Sequence, residues 1–300
     1  SYSSGNTTVE VIRAKNDVVA ALDDTFFSSV HYDGFNEADR VHPNGWGYAM
    51  ADEVAAYDIK QLRAGNEPGR PTLISATRSG AVISFTCNTK NSTNLVIDTE
   101  FEVAVQEEAS PSSPVGPHIH GFQLYRNGAI VDISDAVVVV SGNTGTITLT
   151  SDPGALLGDE ELRYALQQHN GGSLVSGPCR HCGGHIRSDR APVPSHNITM
   201  TKCGVTRGGG SSRPDLFAGT TFDADRDSNV TAELQRIGAS SAPWDQSGTT
   251  GTAYFYDVNG TILVGDVMRG GSVSVTIDSI TEEPFQHYDW LTPNAVAIGA

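Results

Sequence analysis

The chain has 300 residues, enough for two or three domains, with an ordinary apolar share and 32 glycines. Charged residues make up only 18%, and 35 Asp and Glu against 19 Lys and Arg leave a net charge of −16, which argues against the basic patch that nucleic acid or an anionic membrane needs. No apolar run reaches the ~20 residues that span a bilayer, and four cysteines are too few for a disulfide scaffold.

The first predicted element is a helix. Thr7 or Thr8 can cap it, and Val9, Ile12, Val18, Val19 and Leu22 are its apolar positions. Phe26 to His31 reads as a strand. The stretch from Asp39 to Tyr48 is broken by Pro43, Asn44, Gly45 and Gly47. Tyr48 to Leu62 then reads as an amphipathic helix with Met50, Val54, Tyr57 and Leu62 toward a core. An Asp three residues before a His, just ahead of a helix, suits acyl transfer. The carboxylate fixes the tautomer of the imidazole, whose other nitrogen takes a proton from a hydroxyl nucleophile.

Asp39-x-x-His42-Pro43-Asn44-x-x-Gly47-Tyr48 followed by a helix resembles the last conserved block of the SGNH/GDSL hydrolases, in particular the sialate-type carbohydrate O-acetylesterases. Val11 to Val19 resembles the helix before that block, Phe26 to Val30 the final strand, and Asp33-Gly34-Phe35 the loop entering the site. The resemblance implies a partial α/β fold over 1–62, with Asp39 and His42 as the acid and base of a catalytic triad. It also implies no required cofactor. The family's nucleophilic Ser lies some 150 residues or more upstream of this block, and the 38 residues before Asp39 hold no such motif. No Gly-x-Ser-x-Gly elbow follows downstream either. The chain opens with Ser1-Tyr2-Ser3-Ser4-Gly5 and no Met. The expectation is a fragment or processing product that is inert alone.

Arg63 to Pro71 is rich in Gly and Pro and reads as a linker. Short strands follow at Thr72–Thr77, Ala81–Cys87, Leu95–Thr99, Phe101–Gln106, Gly121–Arg126, Ala129–Ile133, Ala136–Val140 and Thr144–Thr150. Asn127-Gly128 favours a type I′ hairpin. This spacing predicts a β-sandwich of the immunoglobulin or fibronectin kind over 72–200. Its order resembles the accessory sandwich of the same esterases, with Glu161–Ala165 and Ile186–Asp189 as a late strand and closing loop. A hinge at Gly208 to Pro214 and strands at Thr252–Asp257, Thr261–Val267 and Ser272–Ile277 predict a second small β domain over 201–300, with a turn at Val258-Asn259-Gly260. The fold class is therefore mixed: a partial α/β unit followed by mainly-β domains.

Three further clusters carry ligand chemistry. Cys179 and Cys182, with His185 and Cys203, have thiols and an imidazole suited to a structural zinc; a disulfide among the cysteines and free thiols are the alternatives. His118 and His120 fall on one face if extended, as a metal pair or as polar loop edge. Asp223, Asp225, Asp227 and Asn229 space their oxygens as a calcium loop does, but Ser228 and Leu234 stand where an EF-hand needs Gly and Glu. The alternatives are a looser structural calcium site or an acidic turn opening a helix over Val230–Ile237. The aromatics Trp46, Trp244, Trp290, Tyr254, Tyr256 and Tyr288 can stack on sugars or fill a core.

Two functions follow. One is a glycan-directed protein derived from a serine O-acetylesterase. The other is a non-catalytic spike or fibre protein of a phage-like particle that grips surface polysaccharide. Both place the chain outside the cell or on a virion, with a polysaccharide partner, as a homo-oligomer or an assembly subunit, with no nucleic acid and no membrane insertion.

Overall fold

The structure is a computed structural model that describes residues 6–22, 25–26, 45–90, 92–98, 119–165, 186–209, 220–238, 241, 247–289, 291–292 and 294–300. It is mainly β. The first β body uses β1 (Thr72–Ser79), β2 (Val82–Asn88), β4 (Phe122–Arg126), β5 (Ala129–Val131), β6 (Val137–Ser141), β7 (Thr144–Thr148), β8 (Glu161–Tyr164) and β16 (Asn294–Gly299). Their order is β5-β4-β8-β16-β1-β2-β7-β6. Laid flat, β4 and β2 would be separated by about four strand spacings, near 19 Å. Yet the rings of Phe85 on β2 and Phe122 on β4 are 4.8 Å apart, and Phe122 is 4.9 Å from Tyr164 on β8. The sheet therefore folds over on itself into two facing halves, with these rings between them.

Strict alternation produces this core. Along β2, Ile83, Phe85 and Cys87 point inward while Val82, Ser84 and Asn88 face out. Gly145 on β7 passes directly under Phe85: a Cβ there would lie 2.3 Å from the ring, so only glycine fits. The Asn127-Gly128 turn forms as expected, with φ of +53° and +76°, and joins β4 to β5. The closing strand β16 comes from the far end of the sequence. It pairs antiparallel with β8 and parallel with β1, at Ala76↔Ile298 and Thr77↔Gly299.

Between β8 and β16 the chain builds a closed barrel. Its strands are β10 (Val193–Arg207), β11 (Thr220–Ala224), β12 (Asp227–Ile237), β13 (Thr250–Asn259), β14 (Val267–Gly270) and β15 (Val273–His287), in the order β10-β13-β12-β11-β14-β15. The interior is filled by Val205, Phe222, Leu234, Phe255, Met268 and Ile277, among others. Two features depart from the sequence reading. Val230–Ile237 is strand, because Val230, Ala232 and Leu234 are buried at every second position inside the barrel. Thr261 to Asp266 is a loop, held by the Arg226–Asp266 ion pair and by the Leu263 N–H donating to Asp266.

The way into the barrel and the way out run side by side. β9 (Ile186–Ser188) pairs with β3 (Leu95–Ile97). On its other side the Ser188 N–H donates to the Asp289 carbonyl, and the Leu291 N–H to that of Ile186. The expected sandwich over 72–200 and second unit over 201–300 are thus interleaved. β10 crosses the boundary between them, and β16 returns to the first body.

The described residues do not support the α/β unit expected over 1–62. Helices α1 (Asn6–Ala21) and α2 (Gly45–Arg63) pack on β surfaces, α1 on β16 and α2 on β10. No parallel α/β sheet accompanies them among the described residues; Phe26 lies outside any strand and residues 27–31 fall outside the described set. α1 is tied by Asn16 to Asn294 (2.9 Å) and by an Arg13–Glu161 ion pair, while Val18 and Leu22 are exposed. α2 buries Gly47, Met50, Val54 and Asp58, one stripe at helical spacing, and leaves Leu62 exposed. Met50 joins Ile198, Met200, Tyr254, Tyr256 and Phe285 on the outer face of the barrel. No described helix is long and apolar enough to cross a membrane.

Candidate functional site

The face of α2 beside its buried stripe carries Glu53, Ala56, Tyr57 and Lys60, at spacings that line them up along the helix. Opposite, the pairing of β10 with β15 slips between Pro194 and Thr199. This bulge turns His196 and Asn197 outward. Ser195 secures it by accepting the N–H groups of Asn197 (3.1 Å) and Ile198 (2.7 Å). Between helix and bulge lies a cleft of about 310 Å³, walled by Ala56, Tyr57, Val193 and Pro194 and edged by Lys60, His196 and Asn197.

Glu53 fastens the two sides. Its Oε2 lies 2.9 Å from His287 Nε2, and its Oε1 accepts the Asn197 backbone N–H at 2.9 Å and side-chain amide at 2.6 Å. Burial pushes its carboxyl up, but hydrogen bonds from Ser195, His287 and Asn197, with the charge of His287, outweigh that and hold it below its ordinary value. The ring of His287 stands edge-on to Phe285, 5.2 Å away.

Beneath the cleft an ion network joins helix, linker and both barrel connections. Arg70 pairs with Asp289 (2.6 Å) and with Asp58 (3.3 Å). Arg190 pairs with the same Asp289 (3.1 Å), donates to the Tyr57 hydroxyl and lies over its ring at 4.9 Å. Burial lowers the Arg190 pKa, but the charges of Asp289 and Tyr57 and their hydrogen bonds more than reverse it. The linker expected at 63–71 is therefore an anchor at its end, since Arg70 is 5% exposed.

This arrangement suits binding better than proton transfer. The Glu53 carboxylate is engaged by donors from three residues, so it has little capacity left to act as a base. His196 and Lys60 are exposed at the rim.

The residues singled out from sequence are scattered. Asp39 and His42 fall outside the described residues, as do Cys179, Cys182 and His185. Cys203 is a free thiol in the barrel interior, where burial first and then Glu282 push it up to about 12, the setting of an inert core cysteine. Asp223 to Asn229 form the β11–β12 hairpin. There Asp225 pairs with Arg269 and Asp227 accepts from Asn229. Among the described residues no three His, Cys, Asp or Glu side chains gather as a metal site. His118 lies outside the described set, and His120 sits in a turn before β4 at φ +49°. Trp46 packs edge-on against Tyr256 at 6.2 Å, and Arg187 lies 4.9 Å from the ring of Tyr288. Trp244 and Trp290 are outside the described residues.

The cleft residues carry no local motif. Glu53 and His287 are 234 positions apart in sequence. The one sequence signal is the Glu53, Tyr57, Lys60 line on α2, which reads as an ordinary helix flank. Compared with known protein families, with characterised proteins and with solved structures, the chain matches none.

Proposed function

We propose that the chain is a glycan-binding component of an extracellular or virion-surface assembly, of the spike or fibre kind. The observation that carries this reading is the cleft beside α2. Tyr57, Val193 and Pro194 offer an apolar wall for the face of a sugar ring, while Lys60, His196 and Asn197 offer donors at its rim for hydroxyls or carboxylates. The strand order adds support on the architectural side. The halves β6-β7-β2-β1 and β5-β4-β8-β16 follow the order D-E-B-A and C′-C-F-G of an immunoglobulin-type sandwich, with the barrel carried in the connection before the last strand. Loops at the ends of such sandwiches are where binding surfaces are built. The O-acetylesterase ancestry drawn from Asp39 and His42 is a proposal of descent within this reading.

The test is calorimetric titration of the chain with fragments of neutral and acidic surface polysaccharide. Lys60→Ala and His196→Ala should each weaken binding roughly fivefold, the loss of about 1 kcal/mol for one hydrogen bond, at unchanged melting temperature. Binding indifferent to both substitutions removes the cleft from the reading. Release of acetate from an acetylated glycan, abolished by His42→Ala, replaces binding with hydrolysis as the primary activity.

A further inference from the structure

We propose that the cleft beside α2 takes a neutral N-acetylated amino sugar and recognises it by the acetamido group. This rests on the glycan reading above and narrows it to one class of ligand. At about 310 Å³ the cleft is at the small end of ligand sites, so it holds one sugar residue with its substituent and not a length of chain.

The wall selects against a bare sugar. Ala56, Val193 and Pro194 have no polar side-chain atom, and Pro194 has no N–H to give. The Tyr57 hydroxyl accepts from Arg190 beneath the cleft. A hexose turned into this wall would bury hydroxyls that find no partner there, and that loss offsets the gain from burying the ring. An acetyl methyl needs no partner and gains by leaving water.

The rim supplies what the rest of an amide needs. The Asn197 Nδ2 donates to Glu53 Oε1 at 2.6 Å. A carboxylate can only accept, so the orientation of the Asn197 amide is fixed and its Oδ1 is the branch turned away from Glu53. That oxygen is a held acceptor for the ligand's amide N–H. The Lys60 ammonium and the His196 ring are the exposed donors for the acetamido carbonyl. Wall, acceptor and donors thus answer the methyl, N–H and C=O of a single group.

Charge points to a neutral ligand. Among the lining residues the one permanent cation, Lys60, stands against the Glu53 carboxylate. Beneath them Arg70 and Arg190 are matched by Asp58 and Asp289. No excess of permanent positive charge is left to draw an acidic sugar, and the net charge of −16 opposes one further.

The test is saturation-transfer NMR and titration of the full chain with the methyl glycosides of N-acetylglucosamine, glucose and glucuronic acid. The N-acetyl methyl should receive the strongest saturation of any ligand proton. The N-acetylglucosaminide should bind about tenfold more tightly than the glucoside, the worth of one buried methyl and one hydrogen bond. Ala56→Leu, at an exposed helix position where the larger side chain enters the cleft, should abolish that preference at unchanged melting temperature. Equal binding of glucoside and N-acetylglucosaminide, both lost in Ala56→Leu, overturns the acetamido inference and leaves the glycan reading standing. Tightest binding of the glucuronide, lost in the same variant, does likewise. An N-acetyl preference that survives Ala56→Leu places the group elsewhere and overturns the inference. Binding of none of the three sugars removes the inference and the glycan reading together.

Discussion

The two β bodies solve the same problem in opposite ways. The barrel closes on itself, so each of its six strands has a neighbour on both sides, and a large apolar cluster fills it. The sandwich stays open at β5 and β6 and buries charge between its parts. The Glu160 side chain is fully buried and accepts two bonds from Arg78, at 2.8 and 2.9 Å, and one from Arg126 at 2.8 Å. Closure leaves a body with nothing to offer except its outer wall, and α2 takes that wall to form the cleft. The ligand proposed at the barrel wall follows from that closure.

The largest effect expected from breaking the comparison is at Glu160. Glu160→Ala leaves Arg78 buried without its main partner and should cost about 3–5 kcal/mol, seen as a lowered denaturant midpoint. Burial pushes the Glu160 carboxyl up, but hydrogen bonds from Arg78, Arg126 and the Leu157 N–H bring it below its ordinary value. Its stabilising contribution is therefore present at neutral pH and lost as pH falls through the folded pKa. The barrel's own pair, Arg226–Asp266, has its guanidinium 39% exposed, so the barrel should show less of this acid sensitivity when amide exchange is followed body by body.

Next come the two glycines that lie under aromatic rings. Gly145→Ala in the sandwich sets a methyl against Phe85 and 2.8 Å from the Val139 carbonyl oxygen, and Gly270→Ala in the barrel sets one 2.6 Å from Phe222. Overpacking of this kind costs about 1–3 kcal/mol. The sandwich variant should be the worse of the two, because a backbone oxygen cannot swing aside as a ring can. Equal losses in the two unfolding midpoints would mean that the sheet gives way as readily as the ring.

Strands read well from the sequence where local pattern and tertiary burial agree. Ile83, Phe85 and Cys87 alternate with Val82, Ser84 and Asn88, and Asn127-Gly128 names its own turn. The reading failed where they disagree. Within Val230 to Ile237 the run Ala232 to Arg236 is Ala, Glu, Leu, Gln and Arg, good helix formers, yet the apolar residues keep period two until Leu234, and closure of the barrel decides for strand. Leu62 sat at a helical spacing that predicts burial, yet it is exposed, near the end of α2 and past its buried stripe. The return of β16 beside β1 was not legible, since nothing in Asn294 to Gly299 names a partner more than 200 residues back. The cleft was hidden for the same reason: a helix and a bulge meet there through Glu53, and neither is distinctive alone.

Glu53 lies at that meeting and should have an effect of comparable size. Glu53→Ala removes the acceptor shared by His287 and Asn197 and should cost about 1.5–3 kcal/mol, the range for hydrogen bonds to a charged group. Amide exchange should quicken first along α2 and at Asn197 and Ile198, with the sandwich halves unaffected. Loss of protection in the sandwich as well would mean that α2 braces both bodies.

The smallest effect separates exposed electrostatics from buried. Asp189 is exposed, yet it receives the side chain and N–H of Asn94 and those of Thr93, which tie β9 to the turn before β3. Hydrogen bonds from Asn94 come first in bringing its pKa down, to about 2. A carboxyl whose folded pKa is depressed stabilises the fold above its unfolded value, near 3.9, and ceases to do so as pH falls toward 2. Asp189→Asn should therefore leave stability at pH 2 almost unchanged and lower it slightly at pH 6, by less than Glu53→Ala does, because solvent screens an exposed group. A pH-independent loss would show that the Asn94 and Thr93 bonds work by shape and not by charge.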